Sequence, residues 1–218
     1  MMPKGLRWLK ELSMTDYWAR KMRVVSKSRE NHRQDTNLNS APIRLASLIE
    51  ESIVDGPGLR FVVFAQGCPH RCPGCHNPTT HLPIGGKLVS IEKILSSYDQ
   101  HRACRGITLS GGEPFDQAGP LAKVAQGIRQ RGGDVIVYTG YRLERLSELA
   151  KTDQGILTLL KETDLLIDGP FLLEKRCLEV PFVGSTNQRL VALSPTGNSL
   201  LEDIPFVPEG PMIERILY

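Results

Sequence analysis

This 218-residue chain is short of several things, and each shortage excludes a class of protein. It has no apolar run near the roughly 20 residues needed to cross a bilayer. Its N-terminus lacks the apolar block of a secretory signal, so the expected compartment is cytoplasmic and reducing. Cysteine is sparse as well. Five in such a compartment read as thiols, ligands or catalysts, not as a disulfide framework. Charge of one sign is also lacking, with a formal net charge of +3. Residues 1–40 hold nine Lys or Arg against four Asp or Glu, a balance of +5 that leaves −2 for the other 178. A near-neutral body gives no support for nucleic-acid binding, and no membrane partner is expected either.

What remains fits a globular protein with one core, at 40% hydrophobic and 23% charged residues. The expected organisation has three parts. Residues 1–40 form a basic, mobile extension with both tryptophans, Trp8 and Trp18, and a polar tract over 26–40 that cannot bury enough apolar surface to order itself. Leu6, Leu9 and Leu12 give it one short amphipathic helix, and Met14 and Met22 are alternative starts. Residues 41–195 form the core domain, and 196–218 a C-terminal tail.

Within the core, strands and helices alternate. Strands are predicted at Leu59–Gln66, Gly106–Leu109, Asp134–Tyr138, Asp164–Ile167 and Arg189–Leu193. Helices are predicted over Ser90–Arg102, Phe115–Arg131, around RLERLSELA, and over Ile156–Lys161. The alternation predicts an α/β fold with right-handed crossovers. Five or six mainly parallel strands are too few for a closed eight-stranded ring, so the expectation is a partial, open β/α barrel. Chemistry in such folds gathers at the C-terminal ends of the strands. The unusual loops all follow strands: GCPHRCPGC, SGGEP, TGY and DGPF.

Cys68, Cys72 and Cys75 lie within eight positions, a tight set of soft ligands for zinc or an iron–sulfur cluster. Three thiolates leave one iron of a cubane open to a non-protein ligand. A Cys3His zinc site using His76 or His81 is the competing reading, and the cysteines alone leave the two open. Cys104 and Cys177 stand alone, as small buried hydrophobes usually do. Ser110-Gly111-Gly112-Glu113-Pro114, one βα unit later, tips the balance. Paired glycines let a ligand approach the backbone, and the carboxylate after them can hold an ammonium group.

With these motifs, residues 45 to 193 resemble the radical S-adenosylmethionine (SAM) enzymes. DGPGLR (Asp55 to Arg60) leading into FAQGCPHRCPGCHNP is similar to the activases that install a glycyl radical on a larger enzyme. CPGC with glycine at Gly74, TGY (Thr139 to Tyr141), LLIDGPF and GSTNQRL narrow the resemblance to activases of anaerobic ribonucleotide reductases. No second cysteine cluster lies between the core motif and SGGEP, unlike activases with an inserted ferredoxin-like domain.

The resemblance implies that Cys68, Cys72 and Cys75 bind a [4Fe–4S] cluster whose fourth iron takes SAM. Gly111, Gly112 and Glu113 would hold the methionyl end, and Gly74 to His76 would flank the adenine. Thr139 and Asp168 would join the pocket, Asp168 through a small cation or the ribose, or as a tight turn only. Asn187 and Arg189 would contact SAM or the glycine loop, with a solvated charge as the ordinary alternative for the arginine. His70 and His81 are expected to be surface polar residues. The implied partners are a large glycyl-radical enzyme, anaerobic ribonucleotide reductase, and an electron donor such as flavodoxin or ferredoxin. Alternatives are radical SAM chemistry on a modified-nucleoside precursor, or a zinc-binding module.

Overall fold

The computed structural model describes residues 41–205 and 212–216, and the expected extension over 1–40 lies outside them. Strands β1 (Ile43–Ser52), β2 (Arg60–Ala65) and β3 (Lys87–Val89) are followed by helix α1 (Ile91–Tyr98) and β4 (Gly106–Gly111). Next come α2 (Ala118–Gln130), β5 (Asp134–Thr139), α3 (Leu143–Leu149), α4 (Gln154–Glu162) and β6 (Leu165–Asp168). The chain continues through β7 (Arg189–Ala192), α5 (Pro195–Glu202) and β8 (Met212–Arg215).

Among the described residues eight strands form one open sheet, in the order β3-β1-β2-β4-β5-β6-β7-β8. This corrects the expected five or six mainly parallel strands. Only β2, β4, β5 and β6 form a continuous parallel run. There the connections carry helices, as parallel pairing demands. β7 pairs antiparallel with β6, because residues 169–188 connect them without an α-helix to carry the chain back. β1 pairs antiparallel with both β2 and β3. Its half-exposed sequence IRLASLIEES lacks the unbroken apolar run that marks the central strands. Residues 196–218, expected as a tail, instead supply α5 and a strand, β8, that runs parallel to β7.

Alternation along each strand sends side chains to two cores. Val135 and Val137 join one built with α1, α2, α3 and α4, including Ile94, Leu121, Leu146 and Leu159. Ile136, Leu165, Ile167 and Leu190 face the other, with Val180, Val183, Leu200 and Leu201. The predicted Phe115–Arg131 helix begins as a 3-10 turn at Pro114–Gln117. Pro120 then falls in the first turn of α2, where an N–H has no intrahelical partner to lose.

The N-terminal ends of the parallel strands are tied by a buried arginine from the DGPGLR motif. Arg60 is wholly buried; it pairs with Asp134 on β5 and donates through Nε to Thr108 Oγ1 at 3.1 Å. Its Nη2 donates to the Ile107 carbonyl at 2.6 Å. Burial holds its pKa below the usual arginine value, while the Asp134 carboxylate opposes that shift. Thr108 Oγ1 in turn donates to the Asp55 carbonyl at 2.8 Å, so the DGPG turn is sealed over this pair. Gly56 has φ +138°, and a Cβ there would sit 2.7 Å from Ile136 Cδ1. Arg60→Met should therefore cost about 3 kcal/mol of stability, because a buried partner of Asp134 is lost. Urea unfolding of the two proteins measures this directly.

Candidate active site

Parallel pairing puts the loops after β2, β4, β5 and β6 at one end of the sheet. The cysteine loop begins where β2 ends and closes on itself. Gly67 N–H donates to the Thr80 carbonyl at 2.8 Å, and Cys68 N–H to the His81 carbonyl at 3.2 Å. Gln66 Nε2 reaches the Thr79 and Leu82 carbonyls at 3.0 and 2.7 Å. Inside this ring Cys75 N–H donates to the Cys72 carbonyl at 3.1 Å, and Asn77 N–H to Cys75 Sγ at 3.4 Å. All three thiols are free and partly exposed. Burial pushes the Cys68 thiol up, opposed by the His70 and Arg71 backbone, with the Glu113 charge adding to the rise.

Gly74 is required by its surroundings. Its φ is +73°, and a Cβ would stand 2.8 Å from Leu173 Cδ1. Leu173 and Phe171, from the loop after β6, therefore lie against this side of the cysteine loop. The His76 ring is 6.0 Å from that of Phe171.

SGGEP meets the cysteine loop backbone to backbone. Gly112 N–H donates to the Ala65 carbonyl at 2.8 Å, and Glu113 N–H to the Gly67 carbonyl at 2.7 Å. A Cβ on Gly112 would come within 2.2 Å of Gly67 O, so no larger residue permits this approach. The amides of Gly112 and Glu113 are thus used to dock one motif on the other.

Glu113 is wholly buried, and both its oxygens are engaged. Oε1 accepts from Phe115 N–H at 3.0 Å and Thr139 Oγ1 at 2.9 Å. Oε2 accepts from Gly140 N–H at 2.9 Å and lies 2.9 Å from His70 Nε2. With three other donors aimed at this carboxylate, the His70 ring donates too. Thr139 is also held from the other side, accepting from Tyr141 N–H at 3.1 Å.

His70, expected at the surface, is the residue that sequence reasoning missed. Its side chain is 18% exposed and its ring meets Tyr141 edge-on, with centroids 4.5 Å apart. Tyr141 bonds Asp116 at 3.3 Å, and burial beside the Asp116 and Glu113 charges pushes its hydroxyl up to about 12. Burial likewise raises Asp116. The available signal was a histidine between two cysteines of the loop, in a chain that also carries the glycine and tyrosine of TGY.

The remaining candidates form a second group at the ends of β6 and β7. Asp168 is wholly buried; it accepts from Leu143 N–H at 2.7 Å and from Arg189 Nε at 2.8 Å. Arg189 also bonds Glu144 and Glu214, each at 2.9 Å. It is therefore not the solvated charge of the ordinary reading, and its carboxylate partners raise its pKa. Asn187 Nδ2 donates to the Pro170 carbonyl at 2.8 Å, while its Oδ1 is buried without a protein partner. A backbone bond from Gly169 to the Tyr141 carbonyl, 3.1 Å, joins the two groups. Asp168 pairs with Thr139 in register, yet their side chains serve different loops.

Residues 54–191 match the family model described as a 4Fe-4S single cluster domain. The anaerobic ribonucleoside-triphosphate reductase-activating protein of Escherichia coli K12 is 34% identical over 144 residues, 62% of this chain and 90% of that protein. Its counterpart from Vibrio cholerae is 34% identical over 145 residues, covering 62% and 89%. The pyruvate formate-lyase-activating enzyme of Clostridium pasteurianum is 35% identical over 127 residues, covering 56% of this chain and 53% of that one. Among solved structures, QueE from Escherichia coli aligns over 46% of this chain and 52% of its own at a TM-score of 0.36 and 19% identity. The chain belongs to the 4Fe–4S single cluster domain family, among the radical SAM activating proteins of anaerobic ribonucleoside-triphosphate reductase.

Proposed function

We propose that this chain reductively cleaves SAM and uses the product to generate a glycyl radical on an anaerobic ribonucleoside-triphosphate reductase. The observation that carries the reading is the direct docking of the three-cysteine loop on SGGEP, through Gly112, Glu113 and His70. The donor set fits a cluster. Three free thiols are held on a loop closed by its own backbone bonds, and Cys75 Sγ already receives an N–H.

Cys68, Cys72 and Cys75 would each hold one iron. When bound, the cluster supplies the electron that splits SAM into methionine and a 5′-deoxyadenosyl radical. Gly111 and Gly112 give the methionyl end a wall without side chains. Glu113 serves that wall by fixing it; to meet the SAM ammonium, its carboxylate exchanges one of its four protein donors. Gly74 and His76, backed by Leu173 and Phe171, flank the adenine. Asn187 Oδ1 has an acceptor to offer the cofactor, whereas Asp168 and Thr139 act by holding the loops around it. The open sheet is read as a partial barrel whose free side admits the partner's glycine loop. The partner is the reductase, with flavodoxin or ferredoxin as electron donor. Among the described residues no helix is long and apolar enough to cross a membrane.

Anaerobic incubation of the reconstituted protein with SAM, a reductant and an anaerobic reductase should give the doublet of a glycyl radical by electron paramagnetic resonance. Absence of that signal, with SAM still cleaved, would point to a small-molecule substrate. Cys72→Ala should lose bound iron and all SAM cleavage. Cys104→Ala should keep both, since Cys104 is buried in the core and its thiol donates to the Glu50 carbonyl. Glu113→Gln should lower stability by about 2 kcal/mol, because the amide cannot accept from every donor now facing the carboxylate. Thermal unfolding of the cluster-free proteins checks this without reference to activity.

A further inference from the structure

His70 and Gly140 come from different loops and fit one another. The His70 ring lies so close to Gly140 that a Cβ added there would stand 2.3 Å from Cδ2, and 2.7 Å from both Cγ and Nε2. Gly140 is not among the glycines with positive φ, so its backbone conformation suits any residue. The glycine is needed at that point because the imidazole occupies the space a side chain would take. The ring is held on two further sides, by Tyr141 edge-on at 4.5 Å and by Glu113 Oε2 at 2.9 Å. Gly140 N–H donates to that same Oε2 at 2.9 Å, so ring and socket share one acceptor atom.

The position of this contact gives it a consequence. His70 sits between Cys68 and Cys72, whereas Glu113 and Gly140 lie in the turns that follow β4 and β5 of the parallel sheet. Apart from His70, the hydrogen bonds that tie the loop to the sheet and the turn after β4 are at its base, where Gln66 N–H donates to the Arg44 carbonyl, the Gln66 carbonyl accepts from Gln117 Nε2, and the Gly67 carbonyl accepts from Glu113 N–H. The segment that carries Cys72 and Cys75 is bonded within the loop itself, with Leu173 beside Gly74 and the Phe171 ring near His76.

We propose that His70 is a positioning residue, a latch whose ring seats in the Gly140 socket and fixes the cysteine loop against Glu113 before any cofactor binds. The role is one of placement and involves no change of protonation. Two loops that must jointly enclose a ligand are then pre-arranged, and ordering them at the moment of binding costs less.

A double-mutant cycle read by amide hydrogen exchange of the full-length, cluster-free chain tests the latch. In His70→Ala, peptides spanning 67–81 should exchange about tenfold faster, the loss expected for a hydrogen bond to a buried carboxylate. Gly140→Ala should have a similar effect, by expelling the ring. Combined with His70→Ala, it should add nothing, since the space is then empty. His70→Gln, which keeps a donor, should restore part of the protection. Unchanged exchange in His70→Ala, or an equal further effect of Gly140→Ala in that background, overturns the proposal.

A second measurement rests on the SAM reading above. In reconstituted protein, His70→Ala should raise the KM for SAM about tenfold with iron content and kcat retained. An unchanged KM overturns the link from latch to SAM binding. If the wild-type chain takes up no cluster, the function fails while the exchange experiment still decides the latch.

Discussion

Four donors from separate points of the chain converge on the carboxylate of Glu113: the His70 ring, the Thr139 hydroxyl, and the amides of Gly140 and Phe115. A buried carboxylate is tolerated only when its oxygens are satisfied, and here protein groups alone satisfy them. The cysteine loop, the turn after β4 and the turn after β5 therefore cannot move independently without exposing an unmet acceptor. His70, Thr139 and Gly140 take their places from that constraint. Gly112 supports it by letting Gly67 approach, so the backbone contact and the side-chain contact reinforce one another.

The same device recurs around the sheet. Asp168, at the C-terminal end of β6, is buried and satisfied by Arg189 and the Leu143 amide, which holds the segment bearing Asn187. At the opposite end, Asp134 meets Arg60, and Asp164 meets Arg129 and the Val135 amide. Buried acids at strand ends thus fix the loops and strands around them. The arrangement makes the loops precise but dependent, since removing one partner strands the other.

Much of this was legible in the sequence where side-chain chemistry repeats a simple pattern. The runs RFVVFA, DVIVY and LLID were readable as buried parallel strands because nothing polar interrupts them. β1 escaped because most of its residues are exposed or only partly buried, and β8 because two of the four residues of MIER are charged. The direction of β7 depends on what connects it to β6, which strand composition does not reveal. The cysteines and SGGEP were visible as motifs, but the use of Glu113 was not. A carboxylate after two glycines looks the same whether it faces a ligand or the protein. His70 was discounted because histidines in a ligand-rich loop read as spare polar groups. Its importance lies in a contact seventy residues downstream, with Gly140 and Tyr141.

The picture that emerges is of a cysteine loop whose free thiols are presented by a frame completed without the cofactor. That is what a site needs if one iron is to be left for a second ligand, because the protein must hold three positions firmly and decline the fourth. The central claim is that SAM, and no side chain, takes that fourth position. Titrating SAM into the reduced, reconstituted protein while recording the cluster's electron paramagnetic resonance spectrum tests it most directly. The account predicts that the g-values of the [4Fe–4S] signal shift as SAM binds. A cluster spectrum indifferent to SAM, or a chain that holds zinc and takes up no iron, would contradict it.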